Sequence, residues 1–178
     1  MACHPTHVCP KFAASKPLSQ TLGATRLQKI RKHLSGSVVA DMLPSFENDS
    51  HLAPWAAWFY ASYAFTPKNF SLDAGIDHML AEQAYAQKKP IAALESVEPL
   101  KIMQQIPEDV IQRSIDAMLA HTKANKAQTH KTWQLYHQNR AKDLMAYSES
   151  KEELKYTAAP QDEAFIFCRV LKGSLKIF

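Results

Sequence analysis

The sequence predicts an α/β fold that is predominantly helical, with helical segments arranged around a small or incomplete sheet. Three observations predict it. Apolar residues recur at helical spacing in several segments between residues 18 and 145. Pro54 and Pro107 stand where first helical turns tolerate proline. Finally, the apolar runs 91–94, 165–171 and 174–178 are too short for helices and have strand character. The totals agree with one domain: 178 residues, 46% apolar and 21% charged, suffice for a core and exclude overall disorder.

Residues 1–17 hold three prolines and no periodicity, and read as a flexible N-terminal tail. Residues 18–34 read as one helix through Leu22, Leu27, Ile30 and Leu34, with Ser19 or Thr21 as cap. Ser35-Gly36 stops it. Residues 41–53 read as a loop, because Pro44 and Asn48-Asp49-Ser50 favour turns. A helix then starts at Pro54, carries Trp55, Trp58, Phe59, Tyr63 and Phe65, and ends before Pro67. Rings at this spacing form core or interface.

Ser71 or Asp73 caps the next helix, where Ile76, Met79, Leu80 and Ala84 make one apolar stripe. Lys88-Lys89 suits the negative end of its dipole, and Pro90 forbids continuation. Residues 91–94 then read as a buried strand, followed by a short helix over 97–106. Pro107-Glu108-Asp109 opens a helix lined by Val110, Ile111, Ile115, Met118 and Leu119. The polar run from Lys123 to Gln128 reads as a kink or an exposed bridge between helices. Trp133, Leu135 and Tyr136 resume the apolar signal, and Leu144 and Met145 belong to a further turn or two. The expected organisation is a tail over 1–17, a helical or α/β domain over 18–160, and an atypical C-terminal segment with strands over 161–178.

Composition excludes several classes. The net charge of +4 is mild and its lysines alternate with acids, as in Lys151-Glu152-Glu153-Leu154-Lys155, so nucleic-acid binding is not indicated. No stretch reaches the roughly 18 uninterrupted apolar residues of a membrane span. Residues 52–65 come nearest and are too short. Cys3, Cys9 and Cys168 are odd in number, against a disulfide framework. The first ten residues lack the pattern of an export signal, which gives a soluble, cytoplasmic expectation. With four glycines, neither the Walker spacing nor the dinucleotide fingerprint occurs.

Few residues are placed for chemistry. Cys3, His4, His7 and Cys9 are donors zinc accepts, but neighbours this close cannot easily surround a metal tetrahedrally. His78, three residues after Gly75, falls in the first turns of an amphipathic helix and reads as solvent-facing or core-edge. Glu95 follows the 91–94 strand at its carboxyl end. There a carboxylate either faces a ligand crevice, with a pKa raised by burial, or caps the helix that begins near Val97. His121, His130 and His137 are spread along the later helices, and the last two lie about 10 Å apart along the axis. No Gly-x-Ser-x-Gly, His-Glu-x-x-His or Cys-x-x-Cys is present, and from residues alone no catalytic constellation closes.

The stretch Leu72-Asp73-Ala74-Gly75-Ile76-Asp77-His78-Met79-Leu80, then Ala84, then Lys88-Lys89-Pro90-Ile91-Ala92-Ala93-Leu94-Glu95-Ser96, resembles the TraB/GumN family, related to PrgY and Tiki proteins. Pro54-Trp55, Thr132-Trp133 and residues 18–34 resemble further family segments in the same order, so the likeness covers the central region, about 18–150. The resemblance implies an α/β fold with a helical insertion and a metal-dependent peptidase or related hydrolase activity. It also implies a divalent metal held by two Gly-x-x-His turns and acidic residues, in proteins that include exported or membrane-associated members.

Neither of those two turns is found in this sequence, and Gly75 to His78 aligns instead with the family's helix start. Glu95 and Asp77 are the site residues the resemblance carries over. The leading expectation is a shortened TraB/GumN-like domain that holds no metal and lacks a complete active site, with exposed sheet edges inviting self-association or a protein partner. A second is a helical binding or regulatory module using the aromatic segment 55–65. A third joins His4 or His7 to Glu95 in a metal site.

Overall fold

The structure, a computed structural model, describes residues 13–70, 76–91, 103–148, 150, 159 and 161–162, the side chains of residues 76 and 77 excepted. Seven α-helices are described: α1 (Leu18–Thr21), α2 (Ala24–Leu34), α3 (Pro54–Ser62), α4 (Ile76–Ala86), α5 (Glu108–Ala120), α6 (Thr122–His137) and α7 (Ala141–Ser148). Two 3-10 segments, Ala40–Phe46 and Tyr63–Phe65, lie before and after α3. The described part is thus predominantly helical, as the periodicity predicts.

The expected sheet is not seen among the described residues, where an isolated antiparallel bridge, Ala13 to Leu52, is the one strand-like pairing. Residues 92–94, 165–171 and 174–178, expected as strands, lie outside the described residues, as do 97–102 of the expected short helix. Ile91 has no regular structure.

The 18–34 helix is interrupted. Gly23 adopts φ 81° and ψ 145°, a conformation side chains disfavour, and the chain turns there between α1 and α2. Neither Ser19 nor Thr21 caps α2; the Thr21 hydroxyl donates to the Leu18 carbonyl within its own turn. Ahead of α1, backbone hydrogen bonds run to the 50–51 stretch. The Ala14 amide donates to the His51 carbonyl at 2.6 Å and the Leu18 amide to that of Ser50 at 2.7 Å. The expected 41–53 loop is partly a 3-10 helix, which accommodates Pro44, and Ser50 closes its exit by donating to the Ser45 carbonyl.

Pro54 opens α3, and its 3-10 continuation ends before Pro67 as predicted. The segment's rings divide: Trp55 and Phe65 are buried, whereas Phe59 is exposed and meets Tyr63 edge-on at 5.0 Å. The core joins α1 and α2 (Leu18, Leu22, Leu27, Ile30, Leu34), Phe46, the small face of α3 (Ala56, Ala57, Ala61) and α5 (Ile111, Ile115, Met118). Alanines on α3 let its backbone approach α5, against which it packs most extensively.

The break expected across 123–128 falls instead at His121 (φ −111°, ψ 31°). Residues 123–128 run inside α6, which is reasonable because lysine, alanine and glutamine are good helix formers even on a polar segment. Buried Asn125 donates to the Met118 carbonyl at 3.0 Å and ties α6 to the end of α5. Arg113 on α5 makes a two-point contact with buried Asp162, at 2.7 and 2.9 Å, which ties the turn at 161–162 to α5.

Candidate functional site

The two carried-over carboxylates cannot be joined into a site by geometry on view. Glu95 lies outside the described residues; Asp77 belongs to the first turn of α4, and its side chain lies outside them too. Beside it, His78 points its Nε2 at Glu82 Oε1, 3.3 Å away and one turn on, with both side chains more than half exposed. That is the solvent-facing one of the two placements the sequence allows for His78. An imidazole and a carboxylate in water make two donors, short of the three or four protein ligands a zinc centre uses. Among the described residues no group of three or more His, Cys, Asp or Glu side chains is arranged to hold a metal ion. Cys3, His4, His7, Cys9 and Cys168 lie outside the described residues.

The remaining described histidines have local structural roles. His51 contacts the Ala14 carbonyl through Nδ1 at 3.1 Å and fastens the N-terminal stretch. His121 forms the joint between α5 and α6. Trp133 stacks on His137 at 5.0 Å and nearly parallel, and lies 6.3 Å from His130, so an indole fills the span between the two imidazoles. These donors are spread over several elements and do not converge.

His33, which sequence reasoning passed over, is the described imidazole most altered by its surroundings. It sits in the last turn of α2 with its ring 4.8 Å from that of Phe65. Burial pushes its pKa below the ordinary value, the Lys126 charge pushes it further down, and a hydrogen bond to the Ala61 backbone partly offsets both. Its Nε2 is sealed from solvent with no partner in the structure. Such surroundings disfavour the protonated imidazole. No pattern around residue 33 could have disclosed this, since Phe65, Ala61 and Lys126 arrive from distant parts of the chain.

Two ion-pair clusters were also missed. Arg26 makes a two-point contact with Asp116 (2.9 and 2.8 Å) and also donates to the Leu22 carbonyl, on the rim of a cleft of about 550 Å³ between α2 and α5. Arg113 bridges Asp162 and Asp109; Asp162, then Asp109, hold its guanidinium yet more firmly charged, and Arg113 in turn holds the Asp109 carboxyl below the usual range. Both clusters hold elements together, and in both the arginine's charge is already met by carboxylates.

Among the described residues no helix is long and apolar enough to cross a membrane. No curated protein and no solved structure matches the chain significantly. The sequence model of the TraB/PrgY/gumN family does match, over residues 8–169, and so extends well past the 18–150 stretch that carries the visible motifs. A match of that extent covers most of the 178 residues, and the chain belongs to the TraB/PrgY/gumN family.

Proposed function

We propose that this chain is a family domain related to metal-dependent peptidases or similar hydrolases, and that it does not itself assemble a hydrolytic metal centre. The observation that carries this reading is that the described histidines are spread over several elements and do not converge with carboxylates in a set of three or more. His51 fastens a loop, His78 pairs with Glu82, His33 is buried beside Phe65, and His130 and His137 flank Trp133. A metal-bound water is activated only when several ligands converge and leave a coordination position open. The described imidazoles and carboxylates do not converge as the ligands of a divalent metal would.

The test is metal content and peptide hydrolysis by the full chain after loading with zinc or manganese and gel filtration. Well under one metal per chain and no cleavage are expected, unchanged in Glu95→Gln. Stoichiometric metal that disappears in Glu95→Gln would overturn the reading and make Glu95 a ligand.

A second reading, a helical binding module using residues 55–65, draws on Phe59, which is 44% exposed and clusters with Tyr60 and Tyr63 on the outer side of α3. Trp55 and Phe65 cannot serve it without leaving the core.

A further inference from the structure

Between the end of α2, the turn after residue 65 and the middle of α6 lies a cleft of about 260 Å³. Its ionisable lining consists of His33 from α2, Lys68 from the turn, and Lys126 and His130 from α6. Among the described residues no carboxylate lines it and neither lysine is ion-paired. Phe65 and Pro67 supply an apolar wall. Lys68, Lys126 and His130 reach the cleft from its exposed rim, whereas His33 is half-buried.

Cationic groups from separate elements around one concavity repel one another and create a positive local potential. An anion placed between them would relieve that repulsion. The carbonyl end of α2 also borders the cleft and opposes an anion, yet its strength there is reduced. The Ser35 and Ser37 hydroxyls donate to the Lys32 and Leu34 carbonyls at 2.9 and 2.7 Å. Those hydroxyls are thereby spent as donors, which leaves the ammonium groups and the His130 imidazole to face a ligand.

We propose that this cleft binds a small oxyanion, a phosphate or carboxylate group, held by Lys68, Lys126 and His130 against the Phe65–Pro67 wall. The volume is enough for one charged group on a compact body. His33 closes the floor and senses the occupant through its charge. The site shares no residue with Glu95 or Asp77, so it stands or falls apart from the reading above.

Inorganic phosphate, and acetate in a parallel arm, are titrated into the full chain at constant ionic strength while histidine resonances are followed by NMR. His33→Gln assigns the His33 signal. A saturable response at His33 and His130 is expected, with the His33 pKa moving up in the presence of the anion. Lys126→Met should weaken binding about tenfold, the loss of one charge-assisted hydrogen bond, and Lys126→Arg should retain most of it. Lys142→Met, an exposed lysine on α7, should leave binding unchanged. Response in the phosphate arm alone identifies a phosphate-type ligand, and response in both identifies a general oxyanion site. No saturable response in either arm, or equal weakening by Lys126→Met and Lys142→Met, would overturn the proposal.

Discussion

Helices α4 and α5 carry apolar residues at the same spacing and meet opposite environments. On α5, Ile111, Ile115 and Met118 are 1% exposed or less; on α4, Met79, Leu80 and Tyr85 are 58%, 56% and 72% exposed. A repeat of three and four residues states which side of a helix is apolar, and nothing about what covers that side. For α5 the cover comes from α3, whose alanines permit close approach, and from α2. The stability of this chain should therefore be concentrated around α1–α3 and α5.

The largest expected effect tests that concentration directly. Ile115→Ala empties a fully buried position at the α5 face and should cost about 2–5 kcal/mol, read from the midpoint of urea unfolding. A loss below about 1 kcal/mol would mean that the region tolerates voids and that its packing is looser than the burial of Ile115 suggests.

Next comes the joint inside the same half of the molecule. Gly23 has no neighbour within 4 Å of where a Cβ would stand, so substitution meets no steric obstacle from packing. Its φ of +81° with ψ 145° nevertheless lies in a region close to glycine-only. Gly23→Ala should then cost about 1–3 kcal/mol through backbone strain alone. An unchanged melting temperature would show that α1 and α2 can fuse into the single helix the apolar spacing suggests.

The contrast between these two positions explains what could be read in advance. Starts at Pro54 and Glu108, and the stop before Pro67, follow from local proline geometry and are where the sequence places them. The break at Gly23 was overlooked because Leu22, Leu27 and Ile30 keep apolar spacing across it. The reverse error occurs at 123–128, where polarity suggested a bridge but helix-forming side chains extend α6, and the break falls at His121. Partners far apart in sequence, such as Arg113 and Asp162 or His33 and Lys126, left no local trace. Of the candidate site, His78 takes the solvent-facing one of the two positions the sequence allows, whereas Glu95 and the Asp77 side chain lie outside the described residues.

His33 lies at the border of the packed half and gives it a pH dependence. Burial lowers its folded pKa from 6.5, so the unfolded chain takes up a proton more readily than the folded one. The contribution is thus intact above about pH 6.5 and is lost as pH falls through the lowered folded value. Lys126 from α6 and the Ala61 backbone bear on it, and Lys68 from the turn and His130 from α6 line the same cleft. Melting temperature measured from pH 8 to pH 5 should fall, and His33→Gln should flatten that fall. An identical slope in the variant would assign the acid sensitivity to other groups.

The smallest expected effect is also the sharpest test of the comparison. Leu80→Ala alters a side chain that is 56% exposed, on the same kind of stripe that makes Ile115 indispensable. Surface substitutions of this sort change stability by about 0.5 kcal/mol or less, so the urea midpoint should hardly move. Its helix ends in a reverse turn at Lys88, φ 53°, with the Lys89 amide returning to the Ala84 carbonyl at 2.9 Å. Should Leu80→Ala instead cost what Ile115→Ala costs, the α4 stripe is covered in solution, and the division of the molecule into a packed and an outlying region fails. Repeating the measurement over a hundredfold range of protein concentration would then separate a second copy from the chain's own residues as the cover, because only the former makes the loss depend on concentration.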